Sequence, residues 1–171
     1  MSCYAIDGVM IVETENSIHY TPIRQVLAEA FPTLAEADLV ERLRHDGAMR
    51  IALVATQEGR VVGHVAFSEM RAPFRALGLA PVAVAADRRR QGIAAALISA
   101  GLEQARAEAW EAVFVLGDPA YYQRFGFRAD AAAAFDSPYA GPHLMALALT
   151  GAGLPVSSGR IDYAPAFQSL S

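Results

Sequence analysis

The sequence predicts an α/β (α+β) fold, in which a mixed, mainly antiparallel sheet carries helices on both faces. Strand-like and helix-like segments follow the order strand, two helices, three strands, helix, strand, helix, and one or two further strands. A helix between two buried strands requires a crossover, so those two strands are parallel, while the earlier strands pair antiparallel. With 171 residues, of which 54% are hydrophobic, the chain suits a single domain, residues 1–171.

The first third of the chain reads as one strand and two amphipathic helices. A short apolar strand is predicted at 10–12, and the polar turn after it ends in a helix cap at Asn16 or Ser17. Apolar residues then recur at helical spacing over 18–31, with Pro22 in the first turn or at a kink. A second helix follows at about 34–45.

Three strands come next. The apolar segments 51–56 and 61–67 flank a Glu58-Gly59 turn and predict a hairpin. After an irregular loop, 77–86 is a long apolar strand with Pro81 in its middle. Because proline donates no backbone hydrogen bond, it marks a bulge or an edge.

The remaining elements alternate again between helix and strand. A helix is predicted from about Gln91 to Ala109, followed by a buried strand at 112–116. Asp118 caps a short helix that begins at Pro119 and stops at Gly126. Strands are then expected at 143–150 and, after a glycine- and serine-rich tail, at 161–167, which returns to pair.

The composition indicates the cellular compartment of the protein and argues against several classes of binding partner. The only cysteine, Cys3, cannot form an internal disulfide, no apolar run reaches the ~18 residues of a membrane span, and the start lacks a secretory pattern. We therefore expect a cytoplasmic protein with no membrane association. A formal net charge of -4 and the lack of a patch that combines aromatic and basic residues argue against nucleic-acid binding. The four histidines are scattered, so no metal site is expected.

A local basic cluster stands out in this acidic chain. Arg88, Arg89 and Arg90 lie at the start of the predicted long helix, where the helix dipole disfavours cations. A bound anion would remove this conflict, because free N–H groups at the helix start bind phosphate and arginine side chains clamp its oxygens. Gly92 would let the backbone approach a phosphate closely. The alternative is an arginine-rich helix start on a solvated surface.

Two motifs resemble those of one family. The pattern R-x-x-G-x-A, at Arg89, Gly92 and Ala94, resembles the coenzyme A pyrophosphate loop of the GNAT superfamily of N-acetyltransferases. The segment YQRFGF, starting at Tyr122, resembles the family's Tyr-x-x-x-Gly-Phe segment. GDPAYYQRFGF and the closing GRIDYAPAF are similar to a bacterial branch of predicted N-acetyltransferases of unassigned substrate. The sequence has Ala86-Asp87-Arg88 where many relatives have Pro-Glu-Tyr, which makes this loop more basic.

The resemblance implies an acetyl-CoA-dependent enzyme that transfers an acetyl group to a primary amine, of a small molecule or a peptide, by direct attack in a ternary complex. It also implies that the pantetheine arm pairs with the strand edge near Val82 and Val84, where the parallel strands near Val84 and Val115 splay apart. The pyrophosphate is expected on the backbone of seven consecutive residues. These are Arg89, Arg90, Gln91, Gly92, Ile93, Ala94 and Ala95.

Tyr122 is the candidate general acid for the departing thiolate, against the alternative that it is a packing tyrosine. The base is left open: Glu69, acting through water, is the main candidate, and His64 and His143 are the others. Four acidic residues are candidates for the lining of a cationic-amine pocket, with the alternative that those on helices face water. These residues are Glu36, Asp38, Glu41 and Glu69.

Two other functions stay open from the sequence. One is a non-catalytic acetyl-CoA-binding sensor or scaffold, and the other is a nucleic-acid module, which the acidic balance disfavours. A homodimer is compatible with the sequence.

Overall fold

A central six-stranded sheet with the strand order β1-β2-β3-β4-β5-β7 organises the chain. The computed structural model describes residues 9–170, so Cys3 lies outside the described range. The central strands are β1 Ile11–Thr14, β2 Met49–Gln57, β3 Arg60–Glu69, β4 Ala76–Val84, β5 Ala112–Leu116 and β7 Leu144–Ala148. A second sheet pairs β6 Phe135–Asp136 with β8 Gly159–Arg160. The helices are α1 Tyr20–Ala30, α2 Ala35–His45, α3 Ile93–Ala107, α4 Pro119–Tyr122 and α5 Ala129–Ala132.

The central sheet is mixed and mainly antiparallel, as predicted. Within it, only β4 and β5 pair in parallel, and the helix between them, α3, makes the expected crossover. Their pairing runs from Ala76 opposite Ala112 to Gly78 opposite Phe114 and then stops. β4 continues along β3 to Val84, so its other edge is left without a strand partner beyond Gly78. The predicted splayed pair is confirmed.

Pro81 lies at a bulge on this free edge. Val82 pairs with Val65 and Leu79 pairs with Phe67, so β4 carries one more residue than β3 between these two pairs. The extra length falls at Ala80–Pro81, whose peptide bond is cis. The interpretation of Pro81 as a bulge or edge residue is therefore confirmed on both counts.

Helices cover both faces of the sheet. On β2, Leu53 packs into the core cluster that contains Leu97 of α3, while Val54 packs into the cluster that contains Leu27 of α1. The first turns of α3 approach β3 closely at Gly63, where an added Cβ would lie 2.9 Å from atoms of both Ile93 and Leu97. This close packing holds the start of α3 beside the end of β4.

The segment after β8 differs from the prediction. A strand at 161–167 was expected, but the chain makes a single bridge there, between Asp162 and Arg71, and then forms a 3-10 helix over Pro165–Leu170. That prediction was wrong. Ala166 and Phe167 instead pack against Leu39 and Leu43 of α2, where their apolar side chains are buried, and Pro165 lacks the N–H group that a strand ladder needs.

A buried charge network joins the turn after β1 to α2 and β3. The Glu15 carboxylate, 7% exposed, accepts a hydrogen bond from Arg44 at 2.8 Å, and Nε2 of the fully buried His64 lies 3.4 Å away. The Tyr20 ring covers the Arg44 guanidinium at 3.8 Å. Burial acts to raise the pKa of Glu15, but the hydrogen bonds and charges of His64 and Arg44 outweigh it and hold that pKa below its usual value.

Candidate active site

The basic loop connects the end of β4 to the start of α3. After Val84 the chain makes a 3-10 turn, Ala86–Arg88, and then enters the left-handed region at Arg90, with φ 64°, and at Gly92, with φ 78°. Gly92 is the N-cap of α3. No atom lies within 4 Å of the position of a Cβ at Gly92, so the loop backbone is open at this point. The glycine is required by its backbone angle and not by crowding.

The arginines of this loop form no ion pair with a carboxylate of the described residues, although the charge of Arg88 helps to lower the pKa of its neighbour Asp87. Asp87, the nearest acid in the chain, turns away and accepts two hydrogen bonds from Arg60, at 2.8 and 2.9 Å, which lower its pKa. Among residues 9–170, Arg88, Arg89 and Arg90 form no ion pair. Their charges are therefore available to an anion.

Arg124 adds a fourth cation, which sequence reasoning missed. Its Nε donates a hydrogen bond to the backbone carbonyl of Tyr121 at 3.0 Å, and its guanidinium lies 4.3 Å from the centre of the Tyr121 ring. The signal that could have revealed it is its place in YQRFGF, three residues after Tyr121.

These groups surround a cleft of about 480 Å³ beside the start of α3. Its described walls contain four arginines and no carboxylate, so the cleft fits a multiply charged anion. The lining residues are Val84, Arg88, Arg89, Arg90, Gly92, Ile93, Ala94, Ala95, Tyr121 and Arg124. Gln91 is exposed on the same loop but does not line the cleft.

A second cavity, of about 260 Å³, lies at the free edge of β4. Val82 and Pro81 form one wall, and Tyr122 and Leu116 form another. The structure therefore brings Val82 together with Tyr122, and places Val84 and the arginine loop at the neighbouring cleft. Its remaining lining residues are Phe31, Glu36, Leu39, Leu79, Ala80 and Leu170.

Tyr122 is held rigidly in this cavity. Asp118 caps α4 by accepting a hydrogen bond from the Ala120 N–H at 2.9 Å, as predicted, and α4 carries Tyr122 over Gly117. A Cβ at Gly117 would come within 2.5 Å of the Tyr122 ring, which also packs edge-on against Phe127. Burial, and then the neighbouring Tyr121, raise the pKa of the Tyr122 phenol. The hydroxyl is therefore protonated at neutral pH.

Two more cavities extend from the second cavity toward the C-terminal segment. A third, of about 330 Å³, shares Glu36, Ala80, Leu116 and Leu170 with the second and adds Tyr139, Tyr163 and Phe167. A fourth, of about 370 Å³, shares these last three aromatic residues and opens past Glu69 and Arg71. The openings thus form a chain from the edge of β4 to the end of β3.

The three candidate bases lie in different surroundings. Glu69 lies at the end of β3 in an ion pair with Arg50, at 2.7 Å, and lines the outermost cavity rather than the one with Tyr122. His64 is fully buried beside Glu15, where it cannot meet a substrate. His143 is exposed, with Nδ1 3.2 Å from the carbonyl oxygen of Gly117.

The family follows from comparison with known proteins. Residues 19–127 match the family model of the acetyltransferase (GNAT) family. The chain belongs to the GNAT family. The predicted family and fold are thereby confirmed, and the matched region of this GNAT chain contains the basic loop, the free edge of β4 and Tyr122. Tyr139 and Tyr163 lie outside it.

Two relatives of this GNAT chain are informative. The uncharacterized N-acetyltransferase YhbS of Escherichia coli (strain K12) is 43% identical over 122 residues, which cover 69% of this chain and 73% of YhbS. The uncharacterized N-acetyltransferase YjhQ of the same strain is 40% identical over 113 residues, 61% of this chain and 62% of YjhQ.

Solved structures agree with this assignment. The crystal structure of Escherichia coli YhbS in complex with CoA matches with a TM-score of 0.87 and 34% identity, over 93% of this chain and 92% of that one. A GNAT family acetyltransferase from Brucella melitensis, in complex with acetyl-CoA, matches with a TM-score of 0.79 and 32% identity, over 92% of this chain and 97% of that one.

Two further properties concern the described part of this GNAT chain. None of its helices combines the length and the apolar character needed to cross a membrane. Nor does any group of three or more His, Cys, Asp or Glu side chains in residues 9–170 have an arrangement that could hold a metal ion.

Proposed function

We propose that this chain transfers the acetyl group of acetyl-CoA to a primary amine, of a small molecule or a peptide, by direct attack in a ternary complex. One observation carries the proposal: a cleft with four arginines and an open helix start begins at Val84, two residues along β4 from Val82, where the free strand edge faces Tyr122 across a second cavity. The CoA and acetyl-CoA complexes of the two similar structures support this choice of cofactor.

The cofactor is proposed to occupy the arginine cleft and the second cavity, at the free edge of β4. Its pyrophosphate would bind the backbone N–H groups of residues 89–95, with the side chains of Arg89, Arg90 and Arg124 on the outer oxygens. The pantetheine arm would lie along the free edge of β4, where the backbone around Val82 and Val84 meets the arm and the thioester. A fixed N–H donor there would stabilise the oxyanion that forms during transfer.

The proposed chemistry needs two proton movements. The substrate ammonium first loses a proton, and the neutral nitrogen attacks the thioester carbon, so that an N–C bond forms and the C–S bond breaks. Tyr122 gives its hydroxyl proton to the thiolate, and the second proton leaving the nitrogen returns through water to the phenolate. Glu69 stays the proposed acceptor of the first proton, through water, because it lines the outer end of the same chain of cavities.

Thiol release tests the function directly. Incubation with acetyl-CoA and a panel of primary amines is expected to release free CoA thiol only when an amine is present, with N-acetylated product detected by mass spectrometry. Acetyl-CoA binding without amine-dependent release across the panel would favour a non-catalytic sensor instead.

Gly92→Val tests the phosphate site. Valine disfavours the left-handed φ of +78° and would place two methyl groups in the open space beside the loop. We expect acetyl-CoA affinity, measured by calorimetry, to fall by ~10-fold or more, in line with a backbone strain of ~1–3 kcal/mol.

Gly47→Val is the matched control for this variant. Gly47 also has a left-handed φ, of +69°, and an equally open surrounding, but it lies in the turn after α2. The control should lose a similar amount of stability and keep its acetyl-CoA affinity. Equal affinities in the two variants would remove the phosphate site from the proposal.

A further inference from the structure

Glu36 and Tyr163, which both line the third cavity, each carry a buried polar atom without a hydrogen-bond partner among the described residues. These atoms are Oε2 of Glu36 and the hydroxyl of Tyr163. A carboxylate with one buried oxygen that receives no donor is poorly satisfied, so a ligand that supplies an N–H group to the Glu36 carboxylate would be stabilised.

Glu36 is also free of competing cations. It lies in the first turn of α2, and its neighbours on that helix, Asp38 and Glu41, both pair with Arg24, at 2.9 and 3.1 Å. Among residues 9–170, Glu36 makes no ion pair of its own. Its charge is thus available to a cationic ligand.

Glu36 lines two neighbouring cavities, whose other lining residues differ. It lines the second cavity together with Tyr122, Pro81 and Val82, and the third cavity together with the C-terminal aromatic residues. An ammonium group bonded to Glu36 would therefore lie at the junction, with the rest of its molecule in the third cavity and the thioester edge of β4 beside it.

The walls of the third cavity indicate the chemistry of that molecule. Tyr139 packs edge-on against Tyr163 with ring centres 5.5 Å apart, and Phe167 lies 5.0 Å from Tyr163. Leu116 and Leu170, both partly exposed, form the apolar mouth. No described arginine or histidine lines this cavity, so a carboxylate on the ligand would find no cation there. These walls suit an apolar body of aromatic size.

We propose that Glu36 binds the ammonium group of the acetyl acceptor, and that the acceptor is a primary amine with an apolar, aromatic-sized body and no carboxylate. This inference rests on the proposed acetyltransferase function and names its substrate class. Glu36 acts as a substrate-binding residue in this assignment.

Two probes that differ in one carboxylate test the substrate class. 2-Phenylethylamine and phenylalanine share the ring and the amine, and only phenylalanine carries a carboxylate. We expect kcat/KM for 2-phenylethylamine to exceed that for phenylalanine by ~10-fold or more, as an unpaired charge in an apolar cavity requires. Equal or reversed preference would overturn the substrate class.

Glu36→Gln tests the residue. The amide keeps the size of the side chain and removes its charge, so KM for 2-phenylethylamine should rise by ~10-fold or more, the usual effect of losing a hydrogen bond between charged groups. The acetyl-CoA affinity, measured by calorimetry, should not change. The control is Glu41→Gln, which removes a charge from the exposed side of the same helix and should leave KM unchanged.

A binding measurement separates failure of this inference from failure of the function. Calorimetric titration of 2-phenylethylamine into the CoA-saturated protein needs no turnover, and Glu36→Gln should weaken it while Glu41→Gln does not. If the parent protein acetylates no amine but shows this difference, the proposed function fails and the site survives. If Glu36→Gln binds and acetylates 2-phenylethylamine as the parent does, the inference fails alone.

Discussion

Tyr122→Phe is expected to lower kcat by ~100-fold or more, the usual contribution of general acid catalysis, and to lower kcat/KM with it. The substitution removes only the hydroxyl, since the ring contacts with Gly117 and Phe127 stay. Acetyl-CoA affinity and folding stability should change little. The measurement is single-turnover acetyl transfer to an accepted amine, in which product release cannot hide the chemical step.

Tyr121→Phe is the matched control for this variant. Arg124 is held by the ring and the backbone carbonyl of Tyr121, and phenylalanine keeps both. The control should turn over at the parent rate. If Tyr122→Phe also did so, another group or solvent would supply the proton, and Tyr122 would be a packing residue only.

Glu15→Gln is expected to lower the free energy of unfolding by roughly 3 kcal/mol at pH 7, because it leaves Arg44 and the buried His64 without their carboxylate. Urea unfolding followed by circular dichroism measures the loss. Glu41→Gln, which removes one carboxylate from an exposed pair with Arg24, should change stability little.

The difference in stability between the parent protein and Glu15→Gln is expected to depend on pH. The folded-state pKa of Glu15 lies below the ordinary glutamate value of 4.5, so the contribution of its charge to stability is fully present above pH 4.5 and is lost as the pH falls through the folded pKa. The difference in stability between the parent and Glu15→Gln should therefore shrink below pH 4.5. A difference that stayed constant down to pH 3 would contradict the assignment of this effect to the Glu15 charge.

Local patterns in the sequence were sufficient for the order of the main elements along the chain and for the family, but they did not predict the short second sheet of β6 and β8. The crossover helix demanded a parallel β4–β5 pair, Pro81 marked the free edge, and the sequence around Arg89 and Gly92 marked the loop at the start of α3. Each of these features depends on residues that are close in sequence, since turns, caps and helix starts are decided by neighbouring backbone angles.

Only the tertiary structure showed what surrounds the candidate bases. The sequence placed His64 in the strand at 61–67 and Glu69 just after it, but it did not show that His64 is buried against Glu15 or that Glu69 ends β3 and pairs with Arg50. These partners lie far away in the chain, and side-chain contacts between distant segments have no signature in local periodicity.

What the sequence determined by itself is therefore the order of the main elements, the family, and the position of the arginine loop and of Tyr122 in the chain. Only the tertiary structure showed that Glu36 lines the cavity with Tyr122, that Arg124 completes the basic cleft, and that the chain near Phe167 closes the aromatic wall. The physical reason is that helical spacing identifies the apolar side of α2, whereas the direction of a polar residue in its first turn is decided by what packs against the helix.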